Sequence, residues 1–403
     1  MKRTLSLLLG LLVAVPFGIP AAASASGVIT ITRDSDFTPI GSHTGCACVT
    51  SGSGTASDPY LVEGLTISAD TTAGVVISGT QVSFDLDHLN IHTADKAPAI
   101  VLSGVTGPAS ITHVNIDSPG TIAANSGNPE GMGIQLINTT NVTIKGDSIN
   151  TLSSWGIQVS GGSANSIEFM TVAHTGLANP SSAGTAGLPA SQNPFVTGLS
   201  GQAEGGVQLI NTSGNTVHDN LFNEDAYAGL QLFNASGNTV SRIVVRYPDY
   251  FGIDLESSSS NTLDNVNLQT ADFDGLLVRG GRGNVVKNSN FSANGPIGNE
   301  WAAGVVPWFI AGAYFGSGTS GNVIVDNNGN FGNTGPDLEI DNGAVPTPVP
   351  GGSFGPQTNN PLNGPGGSDP GRLAAAGKQK AICGNSFAPL YWFPLSLNAN
   401  DPC

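Results

Sequence analysis

The chain of 403 residues carries 13 Lys and Arg against 29 Asp and Glu, a formal net charge of −16, and charged residues make up only 10% of it. A chain this acidic repels phosphate backbones, which excludes nucleic acid as a partner. Its 55 glycines, with abundant Asn, Ser and Thr, suit a repetitive β architecture, and its length allows one large domain plus a tail.

Lys2 and Arg3 precede an apolar run from Leu5 to Val15, and Ala23-Ser24-Ala25 then fits an A-x-A cleavage site. Residues 1–25 are expected to be a secretory signal peptide, with an uncleaved anchor as the alternative. The mature chain is then secreted, periplasmic or at the cell surface. No Cys stands just after the site, so no lipoprotein signal is read, and no other long apolar run exists, so no membrane span is expected in the mature chain.

Residues 26–73 differ from the repeats and read as an N-terminal capping segment, as a solenoid needs to cover its first coil. Residues 74–341 are built of coils. The early ones are irregular, with GVVIS from Gly74, AIVLS from Ala99, GIQLI from Gly133 and GIQVS from Gly156. From Gly206 to Asn294 one unit is written four times: GVQLINTSGNTVHDNLF, GLQLFNASGNTVSRIVV, GIDLESSSSNTLDNVNL and GLLVRGGRGNVVKNSNF. The leading glycines Gly206, Gly229, Gly252 and Gly275 recur every 23 residues, and so do Asn215, Asn238, Asn261 and Asn284.

An internal repeat of this length marks a solenoid. One residue after the glycines stand Ile134, Ile157, Val207, Leu230, Ile253 and Leu276; three after them stand Leu136, Val159, Leu209, Leu232, Leu255 and Val278. Apolar residues two apart are the period of a half-buried strand, and no helical rhythm is present. The expected fold is therefore all-β, a parallel β-helix of 23-residue coils with apolar columns inside. In this register Leu232 points inward and its neighbour Gln231 outward, so Gln231 is expected to accept Ser with little effect. The Asn column falls at a bend, where the amides are expected to form a ladder along the stack.

Two insertions leave the coil just before a leading-glycine strand, Thr175 to Gly205 and Pro296 to Ala303. Such loops either wall a binding face or are neutral surface additions. Residues 342–372 form a Pro/Gly-rich linker, and residues 373–403 form a tail with an apolar cluster and two cysteines. The tail is either a cap or an attachment segment.

GTASDPYLVEG at Gly54 to Gly64, followed by coils of the form G-I-x-L-x-x-(S/G)-x-N-T-V, resembles the NosD-type β-helix proteins. These belong to a wider group of carbohydrate-binding and sugar-hydrolysing β-helices that includes the pectate lyases. The resemblance covers Val28 to Asp341 and implies a right-handed coil with sugar polymers along one strand face. NosD itself is a periplasmic accessory in the maturation of a copper enzyme. No G-H-G or R-I-K motif of a polygalacturonase or lyase is present.

Candidate chemistry gathers before and along the leading-glycine strand. The register stacks Tyr227 under Tyr250 and Phe273, and Asp249 under Asp272. With Trp155, Tyr247, Glu256 and Arg282 these form a candidate carbohydrate surface, in which rings pack on sugar C–H faces and charges fork to hydroxyls or uronates. Asp254, Asp272, Asp274 and Arg279 are the catalytic candidates, for a polysaccharide lyase or a glycoside hydrolase. The bland alternative is a solvated flank with rings packed at a corner. Asp249 and Asp272, close on successive coils, form a candidate Ca²⁺ site.

Four cysteines favour disulfides in a secreted chain, with Cys383 and Cys403 the easiest pair. His43, Cys46 and Cys48 offer a weaker metal alternative. His88 and His92 share a strand face but stand too far apart to chelate. The functional expectation is a monomeric, extracellular protein that binds, and in one version cleaves, a polysaccharide or cell-surface glycan. The alternatives are a non-catalytic structural solenoid and a NosD-like accessory of metalloenzyme maturation.

Overall fold

The computed structural model describes residues 23–24, 27–37, 47–69, 71–94, 97–118, 131–176, 204–271, 273–294, 312–316, 319–325, 327, 338–340 and 382–383. Within them the chain is a right-handed parallel β-helix of three sheets, with one short 3₁₀ turn, Asp34–Phe37. Each coil gives one strand to each sheet. The leading-glycine strands, among them Val207–Ile210, Ala228–Phe233, Phe251–Glu256 and Leu276–Arg279, stack in chain order as sheet 1. Strands such as Thr216–His218 and Thr239–Ser241 form sheet 2, and strands such as Leu221–Asn223 and Val244–Arg246 form sheet 3. Among the described residues no helix is long and apolar enough to cross a membrane.

The inward columns read from the repeat pair in register. Leu209 faces Leu232, then Leu255, then Val278 in sheet 1. Val217, Val240, Leu263 and Val286 do the same in sheet 2, and Phe222, Val245, Leu268 and Phe291 in sheet 3. All are buried in one continuous apolar core. Alternation of inward and outward residues along each strand is what lets a 23-residue coil bury three apolar faces at once. The leading glycine is required by close packing against sheet 3 and against the next coil: a Cβ on Gly229 would lie 2.4 Å from Val245 Cγ1, and one on Gly252 would lie 2.4 Å from the Gly275 carbonyl oxygen.

The asparagine ladder is present, buried at the bend between sheets 1 and 2. Oδ1 of Asn215, Asn238, Asn261 and Asn284 each accepts from both the backbone N–H and the Nδ2 of the asparagine one coil earlier, beginning at Asn165. The last described rung is Asn322, bonded in the same way to Asn284. Removing one amide leaves buried donors above it and a buried carbonyl beside it unpaired, at about 1–3 kcal/mol for each such group. Asn261→Ala is therefore expected to shift the urea midpoint down with the m-value unchanged; an unaltered midpoint would show that the ladder contributes nothing to stability.

Parallel pairing reaches into the segment read as a cap. Ile29–Ile31 pairs with Val75–Ile77, Tyr60–Glu63 with Phe84–Asp87, and Leu65–Ala69 with Asn90–Thr93. The true irregularities of this end are the antiparallel strand Val49–Ser51 and the 3₁₀ turn. That turn lays Phe37 over the first coil, stacked on Tyr60 at 5.1 Å and on Phe84 at 5.3 Å. Ala23–Ser24, inside the expected signal peptide, pairs with Leu65–Thr66.

The side chains of Cys383 and Cys403, the inner part of the first insertion and the whole of the second lie outside the described residues; among the described residues there is no free cysteine.

Candidate functional site

The second residue after the leading glycine points outward from sheet 1. In successive coils this column holds Gln135, Gln158, Gln208, Gln231, Asp254 and Leu277. Outward does not mean exposed here: Gln208, Gln231, Asp254 and Leu277 are all buried. Buried amides need partners, and these find each other. Gln135 Nε2 donates to Gln158 Oε1 at 3.0 Å, Gln158 Nε2 to Gln208 Oε1 at 2.7 Å, and Gln208 Nε2 to Gln231 Oε1 at 2.7 Å. The column ends on a carboxylate, where Gln231 Nε2 donates to Asp254 Oδ2 at 3.1 Å.

Asp254 is the centre of the polar cluster, with no exposed surface. Besides Gln231, its Oδ2 accepts from the Tyr227 hydroxyl at 2.8 Å and from Arg279 Nη2 at 3.1 Å. The same Nη2 reaches Glu256 Oε2 at 3.1 Å and the Tyr227 hydroxyl at 3.2 Å, so one guanidinium joins two carboxylates two residues apart on one strand. Strand register brings this about, because Glu256 pairs directly with Arg279 in the next coil. The Arg279 and Glu256 side chains keep 26% and 18% of their surface open, so they form the rim and Asp254 the floor.

Electrostatics follows from burial. The Glu256 carboxyl is pushed up by desolvation, held back by Arg279 and raised further by the charge of Asp254. Burial works against the charge on Arg279, but Asp254, Tyr227 and Glu256 outweigh it and hold the guanidinium more firmly protonated. The Tyr227 phenol is raised well above its usual range by burial and by Asp254 beside it. Two polar atoms of the cluster have no hydrogen-bond partner although they are buried, Asp254 Oδ1 and Arg279 Nε.

Behind the cluster lies a second apolar group, outside the coil: Trp155, Tyr227, Ala228, Tyr250, Phe251, Phe273, Leu277 and Tyr314. The expected stack is real, with Tyr227 and Tyr250 centroids 5.9 Å apart and Tyr250 and Phe273 at 5.1 Å and 8° between planes. Its role is corrected, however. Trp155, Tyr227, Tyr250 and Phe273 are all buried, so their faces pack on each other and offer no platform to a sugar. Tyr247 alone of the predicted rings is open, 56% exposed, and it sits on the bend after sheet 3 with φ 54°. Arg282 is exposed on the bend toward sheet 2, away from the cluster, where its backbone N–H donates to Ser259 Oγ.

The acidic candidates divide in the same way. Asp254, Glu256 and Arg279 come together; Asp274 is fully buried just before Gly275. Asp249 is half-buried, and Asp272, its partner in the calcium expectation, lies outside the described residues. Asp225 of the preceding coil stands one position out of register with Asp249, and its carbonyl accepts the Asp249 N–H at 3.1 Å. Burial drives the Asp225 carboxyl well up, with Thr175 bonds opposing and the Asp249 charge adding. The glutamine column was missed on reading the sequence. Its signal was there, since GIQLI, GIQVS, GVQLI and GLQLF are followed by GIDLE.

A family model described as "right handed beta helix region" matches residues 25–328. A search of curated proteins finds none that matches the chain. Among solved structures, the chain resembles the periplasmic alginate epimerase AlgG, at 12% identity and a TM-score of 0.46 over 78% of this chain and 82% of that one. It also resembles a DFA-IIIase from Arthrobacter chlorophenolicus A6, at 12% identity and a TM-score of 0.41 over 74% and 87%. For the pectate lyase Pel9A the identity is 12% and the TM-score 0.36, over 80% and 77%. These likenesses are of fold.

Proposed function

The chain belongs to the right-handed β-helix family, and on that scaffold we propose that it binds a polysaccharide at the rim formed by Glu256 and Arg279 over Asp254. One observation carries the reading: a buried acceptor, Asp254 Oδ1, and a buried donor, Arg279 Nε, have no partner within one cluster. A native fold seldom leaves such atoms unpaired, and each costs about 1–3 kcal/mol until it is satisfied. A sugar hydroxyl is donor and acceptor at once and suits both atoms; a uronate would add a charge for the guanidinium fork. The apolar run Leu5 to Val15 and the Ala23-Ser24-Ala25 site support action outside the cytoplasm, where the ligand would be an extracellular glycan. If a bond is cut, we assign proton transfer to Glu256, whose carboxyl burial raises above its usual range, and keep Asp254 as the anchor of Arg279.

A second reading is favoured by the burial of Trp155, Tyr250 and Phe273, which leaves no open ring there among the described residues. On that reading the protein is a stiff, non-catalytic coil with the tail as its attachment segment. A narrower place among NosD-type proteins rests on the segment Gly54 to Gly64 and the coil pattern alone.

The test is a screen of the mature protein on neutral and acidic polysaccharides, followed by turnover assays on the hits. Glu256→Gln and Arg279→Lys, the latter keeping the charge but losing Nε, are expected to weaken a hit at least tenfold, about 1.4 kcal/mol. Hits that both variants bind as well as wild type, or no hit at all, would hand the case to the structural reading.

A further inference from the structure

The bends between sheets 2 and 3 turn through single residues in the left-handed region. Early in the coil these are His88, at φ 52°, and His113, at φ 53°, one coil apart. A residue so placed projects its side chain away from both sheets, and the two imidazoles lie over one another with centroids 4.7 Å apart. Asp87, the last residue of the strand before His88, lies between them. Its Oδ2 contacts His88 Nδ1 at 2.8 Å, and its Oδ1 contacts His113 Nδ1 at 3.0 Å. Thr112 Oγ1 donates to the same Oδ1 at 2.8 Å and fixes the carboxylate in the strand register.

We infer that Asp87, His88 and His113 form a surface site for one divalent transition-metal ion of the zinc, copper or nickel class. One ligand atom from each of the three lies within 4.8 Å of the others. Two imidazoles and a carboxylate are the donor set that these ions prefer, and metal–ligand bonds of about 2.0–2.2 Å span such a set after small ring rotations. Hard ions such as Ca²⁺ prefer an all-oxygen shell, which this site does not offer.

Three protein ligands leave a coordination position for water or a further group. The next coil leaves that side open. It carries Gly146 at the same bend, and even a Cβ there would stand 3.9 Å from His113 Nε2. The other described histidines are each alone: His92 meets Asp117, His174 meets Glu224, and His218 meets Glu168 and Asp219. Only at this bend do two imidazoles converge on one carboxylate among the described residues. Reading along the chain pairs His88 with His92; folding pairs it with His113 instead.

The test is calorimetric titration of ZnCl₂ into the chelator-treated full chain, beside His88→Asn and His113→Asn. Asparagine tolerates the left-handed bend but does not replace an imidazole as a ligand, so both variants are expected to keep the metal-free melting temperature. Wild type is expected to take up one ion that each variant binds at least tenfold more weakly, and CaCl₂ is expected to leave this site untouched. On wild type alone, Zn²⁺ should shield His88 and His113, but not His92 or His174, from diethyl pyrocarbonate, read residue by residue by mass spectrometry. Zinc uptake unchanged in the variants, no uptake by wild type, or labelling of His88 and His113 at full rate with zinc present would each reduce the trio to an ordinary surface ion-pair cluster.

Discussion

Leu232→Asp is expected to leave little folded protein. Leu232 sits between Leu209 and Leu255 in the sheet 1 ladder, with no exposed surface. Among the described residues no Lys or Arg is buried in the coil to pair with an aspartate there, and an unpaired buried charge costs about 3–5 kcal/mol before the lost apolar contacts are counted. In a solenoid the loss is not local, because each coil is stabilised through its two neighbours. Urea unfolding followed by circular dichroism, and the yield of soluble protein, both report it; wild-type values for each would mean that the inward register is wrong. The neighbouring Gln231→Ser corrects the expectation of a mild change. Gln231 is buried, and its loss strips Gln208 Nε2 of its acceptor and Asp254 of a donor, at about 1–3 kcal/mol for each group.

Stability is also expected to fall as pH rises from about 4 to about 8, and Asp147 is one cause. Its carboxyl is buried beside the bend, with Oδ1 accepting the Val114 N–H and Oδ2 without a partner. Burial pushes its pKa up from 3.8 to about 8, against the Val114 bond, with the charge of Asp87 adding to the rise. A carboxyl whose folded pKa is raised holds its proton in the native state where the unfolded chain has already released it. Its contribution is therefore complete below about pH 4 and is lost as pH climbs, at about 1.4 kcal/mol per unit until the folded pKa is passed. Asp225, raised well above its usual range by the same cause, acts in the same direction. Asp147→Asn keeps an acceptor for Val114 and removes the titration. In chelator-treated protein the variant's stability should be flatter than wild type between pH 4 and 8, with the two meeting at the acid end. Parallel curves would show that Asp147 is ionised in the fold.

The coil was legible because it repeats. A 23-residue step carries each apolar residue onto its equivalent, so the inward columns and the Asn215 to Asn284 ladder follow from counting. The outward face was not legible. Alternation names Gln231 and Asp254 as solvent-facing, and nothing in their local sequence tells that Trp155, Tyr227, Tyr250 and Phe273 gather outside the coil as a second apolar group. The rings follow from register, but whether they lie open or pack at a corner does not, because stacking distance follows from the repeat while burial depends on what lies over it. His88 and His113 escaped for a different reason. The early coils are irregular, with 25 residues between these two bends rather than 23, and a reading anchored on the regular repeats does not align them.

The glutamine column has a direction. Every amide from Gln135 to Gln231 gives its hydrogen to the next coil along the chain, and none gives it back. A carboxylate can only accept, so Asp254 at the end sets the sense of the whole row; reversing any one glutamine would set two acceptors or two donors face to face. The side-chain dipoles therefore add head to tail, with their positive end on Asp254, and each bond polarises the next. The buried asparagines run the same way, Nδ2 toward the later coil. Two rows of aligned dipoles make this cylinder an electrically polar object, whose field favours negative charge at the Asp254 end of the glutamine row. A single change, Asp254→Asn, would let every amide behind it choose its orientation again.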